Sequence, residues 1–202
     1  ALTATWPGRG PAPQWALSMA QVSRRPTMRL RSASRAAACC SASLFWTSRR
    51  ATAVDNEAWS RRAAAADRPG IRERLGVEGR LFLSVGRLVA RKGFDRLLQA
   101  WALLPDALRS RHRLAIVGGG KEDAALKRLA SELGLSGILF AGEQPPDRIA
   151  EYYAAADAFV FPSLVDVWGM VVNEAMALGT PVLCSQQCGA SELADKAGWT
   201  FD

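Results

Sequence analysis

Histidine is nearly absent from this sequence, which contains one in 202 residues. His112 stands between Arg111 and Arg113, a setting that favours a solvated loop residue over a catalytic base. A Ser-His-Asp triad or a Cys-His pair needs a histidine placed against a nucleophile, and this chain offers no such pattern. Both kinds of nucleophilic catalysis are therefore excluded.

Cysteine is also scarce, and its spacing does not indicate a metal site. The four cysteines fall in two distant places, at Cys39 and Cys40 and at Cys184 and Cys188. Together with one histidine they do not form a zinc-binding pattern. We therefore expect no bound metal and no other cofactor. Cys184 is interpreted as a small buried hydrophobic residue, the usual environment of a free cysteine.

Long apolar runs are missing as well. No stretch approaches the ~20 apolar residues that a bilayer-spanning helix requires, so no transmembrane helix is predicted. The hydrophobic content of 49% and the charged content of 22% are typical of a soluble globular protein. The chain begins with Ala1 and ends at Asp202, directly after a strand-like stretch. We therefore expect a fragment that is truncated at its C-terminal end.

Acidic residues are absent from the first 50 positions, which hold eight arginines and no lysine. This segment contributes +8 and so almost the whole net charge of +7, since residues 51–80 add +1 and residues 81–202 contain 12 basic and 14 acidic side chains. A nucleic-acid-binding surface would place basic residues on a folded face, so nucleic acid is excluded as the main partner. Residues 1–50, rich in Arg, Ala and Ser, are predicted to be disordered, translated off-frame or the remnant of an upstream domain. A transit peptide is the alternative.

Residues 51–78 differ in composition and are predicted to form an interdomain linker with short helices. Asp55 and Asn56 are typical of a turn. Residues 63–75 favour short helical pieces that are broken at Pro69 and Gly70.

From residue 79 onward, strand-like and helix-like segments alternate about five times, with short glycine-containing loops. The predicted strands are residues 81–85, 113–117, 138–140, 158–161 and 182–184. After Gly93, apolar residues recur at helical spacing from Phe94 to Leu104, and further helices are predicted at 124–133, starting at 145–147, and at 170–178. This alternation predicts an α/β, Rossmann-like domain over residues 79–202, a mostly parallel sheet with helices on both faces.

One stretch, F-V-F-P-S-L-V-D-V-W-G-M-V-V-N-E-A-M-A-L-G-T-P-V from Phe159 to Val182, organises this domain. It predicts a buried strand, a loop with Asp166, a turn at Gly169 and a helix that includes Glu174. A helix N-terminus offers N–H donors to an anion, and the two carboxylates are acceptors for hydroxyl groups. The pattern therefore suits a ligand with phosphates and a sugar, although spacing alone also fits an ordinary strand–loop–helix unit.

This stretch closely resembles the donor-site signature P-S-x-x-E-x-F-G-x-x-x-x-E-A-M-A-x-G-x-P-V of retaining glycosyltransferases of family four, which have the GT-B fold. Two positions differ, because Asp166 replaces the first glutamate and Trp168 replaces the aromatic residue before the glycine. The resemblance implies that Asp166 contacts the donor sugar and that Glu174 accepts hydrogen bonds from ribose hydroxyls. Asp166 is one methylene shorter than glutamate, which changes its reach toward the sugar.

A second motif follows the first predicted strand. Arg87 and Lys92 lie on the loop between this strand and the next helix, where two cations can neutralise a diphosphate. The string V-G-R-L-x-x-x-K-G-F resembles the family motif G-R-L-x-x-x-K-G, in which this Arg and Lys hold the donor phosphates. The resemblance further implies donor contacts by six residues with exposed backbone: Gly86, Gly118, Gly142, Gly169, Met170 and Val171.

Both motifs lie in residues 79–202, which the resemblance makes the C-terminal half of a GT-B glycosyltransferase. It implies transfer of a sugar from a nucleotide-diphosphate sugar, with an acceptor domain on the N-terminal side that this chain either lacks or contains in unreadable form. The acceptor would be a sugar or a lipid-linked glycan, which places a cytoplasmic enzyme in peripheral contact with the inner face of the membrane. The alternatives are a non-catalytic nucleotide-binding fragment, a dinucleotide-dependent oxidoreductase and a sugar-nucleotide epimerase. Residues 85–88 lack the spaced glycines of a dinucleotide fingerprint.

Overall fold

In a computed structural model, the protein is described over residues 54–202, apart from the side chains of Lys196 and Ala197. Six strands form one sheet: β1 (Leu81–Val85), β2 (Arg113–Val117), β3 (Ile138–Gly142), β4 (Ala158–Phe161), β5 (Val182–Ser185) and β6 (Trp199–Phe201). Their order is β3-β2-β1-β4-β5-β6, and every neighbouring pair is parallel. The predicted α/β, Rossmann-like fold is therefore confirmed.

The helices of the described residues alternate with these strands. They are α1 (Asn56–Ala64), α2 (Arg68–Arg74), α3 (Phe94–Ala102), α4 (Asp106–Arg109), α5 (Asp123–Glu132), α6 (Pro146–Ala155), α7 (Met170–Ala177) and α8 (Ser191–Ala197), with a 3₁₀ helix at Ala90–Lys92. The helices predicted after Gly93 and at residues 124–133 and 170–178 are confirmed with small shifts at their ends. The short helix α4 was not predicted from the sequence.

Strands β1, β4 and β5 are buried on both faces, as their nearly continuous apolar sequences require. In β1, Leu81, Leu83 and Val85 join one hydrophobic core, while Phe82 joins the other. Helices α2, α6, α7 and α8 contribute buried residues to the first core, and α3 and α5 contribute to the second. The prediction of helices on both faces is thereby confirmed.

The prediction that Pro69 and Gly70 break a helix is wrong, because both residues lie in the first turn of α2. Proline is tolerated there since its missing N–H would have no partner within the helix. The Asp67 side chain caps this turn by accepting a hydrogen bond from the Gly70 N–H at 3.2 Å. Asp55 likewise caps α1 through the Ala58 N–H at 2.8 Å, so the polar pair predicted as a turn begins a helix.

Asp157 connects α2 to the amino end of the sheet. Its carboxylate accepts hydrogen bonds from the Leu81 N–H and from Arg72, each at 2.8 Å. Arg72 also donates to the carbonyl oxygens of Ala155, at 2.9 Å, and of Gly79. Its guanidinium therefore joins α2 to the segments that enter β1 and β4.

The interpretation of His112 as a solvated loop residue is wrong, because its side chain is buried. The ring lies against Phe82 with centroids 6.2 Å apart, and its Nδ1 accepts a hydrogen bond from the Arg80 N–H at 3.0 Å. The flanking arginines are more exposed than His112 itself. The histidine is buried because β2 begins beside β1, which brings the residue before each strand together.

The predictions for residues 1–50 lie outside the described residues, as do Cys39, Cys40 and the start of the predicted linker. The described part of that linker forms α1 and α2. The boundaries at residues 51 and 79 stay predictions. Over residues 54–202, no helix is both long enough and apolar enough to span a bilayer.

Candidate functional site

Most of the predicted site residues follow the carboxyl ends of β1 and β4, which are neighbours in the centre of the sheet. The chain runs from β1 to β2 on one side, whereas β4 leads to β5 on the other side. The strand order therefore reverses between β1 and β4. Ligands of open α/β sheets bind in the crevice outside the carboxyl ends of the strands at such a switch point.

The loop after β1 is tied to the loop after β4 by close backbone contact. The Leu164 N–H donates to the Arg91 carbonyl at 2.9 Å. Gly93 has φ +67°, and a Cβ at this position would collide with the carbonyl oxygen of Pro162. The buried Ser163 hydroxyl lies 3.3 Å from the Arg91 oxygen and 3.2 Å from the Val165 oxygen. These contacts set the spacing of the two loops.

Lys92 and Asp166 meet across this crevice. The Lys92 ammonium is hydrogen-bonded to the Asp166 carboxylate, and each side chain is only 14% exposed. The ammonium also lies 5.1 Å from the centre of the Phe161 ring, a favourable position for a cation. Arg87 differs, because its side chain is exposed and has no hydrogen bond or ion pair with any residue from 54 to 202.

Gly169 places the N-terminus of α7 beside the same loop. The glycine has φ +100°, and a Cβ there would lie 2.7 Å from the Phe161 ring, so this turn requires glycine. Met170 and Val171 are the first two residues of α7 and are partly exposed. The N–H groups of a first helical turn have no acceptor within the helix and point toward its N-terminal end. They can bind an anion there.

Glu174 lies one turn further along α7 and has a buried partner. The Tyr153 hydroxyl lies 3.1 Å from Glu174 Oε2 and 3.1 Å from the carbonyl oxygen of Val171. Burial raises the pKa of Glu174, while the hydrogen bond from Tyr153 opposes this increase. Burial, and then the neighbouring Glu174, raise the pKa of Tyr153 well above its ordinary value. Tyr153 is therefore a neutral hydrogen-bond donor to a partly buried carboxyl group.

Three glycines lie at the ends of β1, β2 and β3. The Gly86 N–H donates to the Val117 carbonyl at 3.0 Å, and the Gly118 N–H donates to the Gly142 carbonyl at 2.8 Å. Gly118 has φ +137°, and a Cβ there would collide with the Gly86 oxygen. Gly142 has φ +68° with open space around the Cβ position. The predicted glycine turns thus lie side by side at the carboxyl edge of the sheet.

The loop after β5 borders the Asp166 loop. The Asp166 N–H donates to the Gln187 carbonyl at 3.3 Å, and Cys188 lies across from Asp166 in an isolated parallel bridge. The sulfur of Cys188 lies 3.2 Å from that of Cys184, and both thiols are buried. The hydrogen bond between them raises the pKa of Cys184 and lowers that of Cys188. The interpretation of Cys184 as a buried hydrophobic residue is confirmed.

The structure thus brings two of the four predicted catalytic residues, Lys92 and Asp166, into direct contact. Arg87 lies on the same loop as Lys92, and Glu174 lies on the helix that follows Asp166. The contact between Tyr153 and Glu174 was not predicted from the sequence. A tyrosine at a fully buried helical position was the available signal, because a buried hydroxyl needs a partner.

No group of three or more His, Cys, Asp or Glu side chains within residues 54–202 is arranged to hold a metal ion. The hydrogen-bonding groups at the crevice are cations, carboxylates and backbone N–H groups. These suit phosphates and sugar hydroxyls.

Comparison with known proteins places this geometry in a family. The model of the family described as glycosyl transferases group 1 matches residues 67–201. The D-inositol 3-phosphate glycosyltransferase of Acidothermus cellulolyticus is 39% identical over 137 residues, which are 60% of this chain and 31% of the relative. The O-antigen chain mannosyltransferase B of Escherichia coli is 37% identical over 122 residues, which are 59% of this chain and 32% of the relative. The chain spans about a third of the length of these curated relatives.

Solved structures agree with this assignment. WaaG, a glycosyltransferase involved in lipopolysaccharide biosynthesis, has a TM-score of 0.60 and 35% identity over 66% of this chain and 36% of its own. Anabaena HepE in complex with UDP-glucose has a TM-score of 0.58 and 28% identity over 66% of this chain and 38% of its own. Both similarities cover only part of each solved chain.

Proposed function

The chain belongs to the group 1 glycosyl transferases, and we propose that it supplies the donor-binding domain of a retaining glycosyltransferase of family four. The reaction moves a sugar from a nucleotide-diphosphate sugar to an acceptor, which is a sugar or a lipid-linked glycan. An acceptor domain on the N-terminal side completes the enzyme. A lipid-linked acceptor brings it to the inner face of the membrane from the cytoplasm.

One observation carries this proposal, namely the convergence of Lys92, Asp166 and the N-terminus of α7 at the switch point between β1 and β4. Cationic groups and N–H donors suit a diphosphate, and the carboxylate suits sugar hydroxyls. The solved structure of HepE with UDP-glucose supports a nucleotide-sugar as the ligand class.

The proposed mechanism rests on stabilisation of charge. As the bond between the anomeric carbon and the donor phosphate breaks, negative charge grows on the departing diphosphate. Arg87, Lys92 and the N–H groups of Met170 and Val171 stabilise that charge, each worth a few kcal/mol in a site that excludes water. Because these groups neutralise the diphosphate, the proposal includes no metal ion.

The two carboxylates bind the rest of the donor. Glu174 accepts hydrogen bonds from the ribose hydroxyls, and Asp166 contacts the transferred sugar. The Lys92 ammonium is hydrogen-bonded to the Asp166 carboxylate. Donor binding then gives the ammonium a phosphate partner and gives the carboxylate a hydroxyl partner. The bound nucleotide contacts the backbone of Gly86, Gly118 and Gly142.

The test is a thermal-shift titration of the full chain with UDP, GDP, ADP and NAD. A ligand at 100 times its dissociation constant stabilises the folded state by about 2.7 kcal/mol, which is readily measured. We expect stabilisation by one nucleoside diphosphate, and its loss in Arg87→Ala and Glu174→Ala. Arg96→Ala is the matched control, because Arg96 is an exposed arginine on α3 that pairs only with its neighbour Asp95 among the described residues.

The other outcomes are equally informative. Stabilisation by NAD alone would replace the proposal with a dinucleotide-dependent oxidoreductase, since the strand order is shared with dinucleotide-binding sheets. Stabilisation that survives both Arg87→Ala and Glu174→Ala would place the nucleotide elsewhere. No stabilisation by any of the four ligands would contradict donor binding by this chain.

A further inference from the structure

The hydroxyl of Tyr153 is held in the interior beside the proposed ribose acceptor. Tyr153 lies on α6 and is 1% exposed, and its hydroxyl lies 3.1 Å from Glu174 Oε2. The ring is packed on two sides, at 5.5 Å from Phe159 and edge-on at 5.7 Å from Trp59. The backbone carbonyl oxygen of Tyr153 accepts a hydrogen bond from the Thr180 hydroxyl at 3.2 Å. The phenol is therefore fixed by packing on both sides.

The hydroxyl has one proton and two nearby acceptors, Glu174 Oε2 and the Val171 carbonyl oxygen. The Val171 carbonyl oxygen is also placed to accept a hydrogen bond from the helical N–H four residues later. The Glu174 carboxylate has no second donor of this kind, because no other side chain among residues 54–202 donates to it. An ionised Glu174 is also the stronger acceptor. The Tyr153 hydroxyl therefore donates its hydrogen bond to Glu174.

One oxygen of Glu174 is thus bonded to Tyr153, whereas the other has no side-chain donor among residues 54–202. Without a fixed partner, a glutamate side chain has three rotatable bonds and would reach the ribose in only a fraction of its conformations. The hydrogen bond from a rigid phenol removes much of this freedom before the ligand arrives. It also favours the ionised carboxylate, which burial disfavours.

We propose that Tyr153 is a positioning residue for ribose recognition: its hydroxyl holds Glu174 Oε2 so that Oε1 accepts the 2′ and 3′ hydroxyls of the nucleotide. This inference rests on the proposed function of the same site. Tyr153 acts through Glu174 and does not touch the nucleotide. Its contribution therefore depends on the presence of ribose hydroxyls on the ligand.

Isothermal titration of the full chain tests this dependence with two sets of probes. The first set is UDP, GDP and ADP, and the second set is their 2′,3′-dideoxy counterparts. For the nucleotide that binds, we expect Tyr153→Phe to weaken the ribose form about tenfold, the loss of one hydrogen bond to a charged group. The same variant should leave the affinity for the dideoxy form unchanged. Glu174→Gln should show the same pattern, and the double variant should lose no more than Glu174→Gln alone.

Tyr152→Phe is the matched control, because the neighbouring tyrosine is half-buried and its hydroxyl has no hydrogen bond within residues 54–202. It should change neither affinity. A circular dichroism melting curve for each variant separates lost folding from lost positioning.

Two failures are distinguishable. If Tyr153→Phe weakens both nucleotide forms equally, or neither, while the wild type binds, Tyr153 has only a structural role and the proposed function stands. If the wild type binds none of the nucleotides, the proposed function fails, and this inference fails with it.

Discussion

The ammonium of Lys92 and the carboxylate of Asp166 form an ion pair at the carboxyl edge of the sheet, although 74 residues separate them in the sequence. Both side chains are 14% exposed, so each charge is largely shielded from water and is paired with the other. In the proposed reaction these two groups bind opposite parts of the donor. The ion pair thus joins the loop after β1 to the loop after β4, and the same two groups belong to the proposed donor site.

Removal of Lys92 should therefore destabilise the protein. Lys92→Ala leaves Asp166 as a mostly buried carboxylate without its cation, and we expect a loss of about 2 kcal/mol, less than for a fully buried pair. Urea denaturation of the single and double variants at Lys92 and Asp166 measures the coupling, which should exceed about 0.5 kcal/mol. Lys127→Ala is the control, because its pair with Asp123 is exposed and is worth well under about 1 kcal/mol. Equal losses at Lys92 and Lys127 would contradict the prediction.

Arg72 should stabilise the protein far more than Arg68, although both bond to Asp157. Arg72 is 21% exposed and donates to Asp157 and to two carbonyl oxygens, whereas Arg68 is 52% exposed and reaches Asp157 at 3.5 Å. We expect Arg72→Ala to cost about 2–3 kcal/mol, since it leaves buried acceptors without a donor, and Arg68→Ala to cost under about 0.5 kcal/mol. Chemical denaturation of both variants decides the order.

Gly169→Ala should disrupt the start of α7. The substitution combines a strained φ of +100° with a contact of 2.7 Å to the Phe161 ring, so we expect a loss above about 2 kcal/mol. Gly134→Ala is the control for strain alone, because Gly134 has φ +61° and nothing within 4 Å of the Cβ position. Its expected cost is about 1 kcal/mol. A smaller loss at Gly169 than at Gly134 in thermal unfolding would show that the Phe161 ring yields without cost.

His112 should make stability depend on pH. Burial, and next the charge of Arg111, lower its pKa below the ordinary value of 6.5. The unfolded chain therefore takes up a proton near pH 6.5 while the folded protein does not, so the free energy of unfolding falls as pH drops below 6.5. Above that pH the histidine is neutral in both states and contributes no pH dependence.

The comparison of wild type with His112→Gln isolates this effect, because glutamine keeps an acceptor for the Arg80 N–H but does not titrate. The difference in unfolding free energy between the two proteins should shift in favour of the variant between pH 6.5 and 5. A difference that stays constant over this range would mean that His112 protonates without penalty in the folded state.

The sequence predicted most of the elements at this site because their signals are local. Apolar runs predicted the strands, and helical spacing predicted α3 from Phe94 onward. The sequence-based predictions were wrong where the type of a residue was interpreted without the residues that surround it in the fold. Pro69 and Gly70 predict a helix break, but Asp67 caps the helical turn that contains them. The two flanking arginines predict a solvated His112, but its side chain is buried.

By itself, the amino-acid sequence determined the α/β alternation, the two motifs and the order of the loops that hold Arg87, Lys92, Asp166 and Glu174. Tertiary structure alone decided which of these groups meet. The Lys92–Asp166 pair, the Tyr153–Glu174 contact and the Arg72–Asp157 contact join residues that are 74, 21 and 85 positions apart. The physical reason is the parallel sheet, whose strand order brings the ends of β1 and β4 together. Residue patterns along a chain express periodicity, whereas contacts between loops depend on strand order, register and burial.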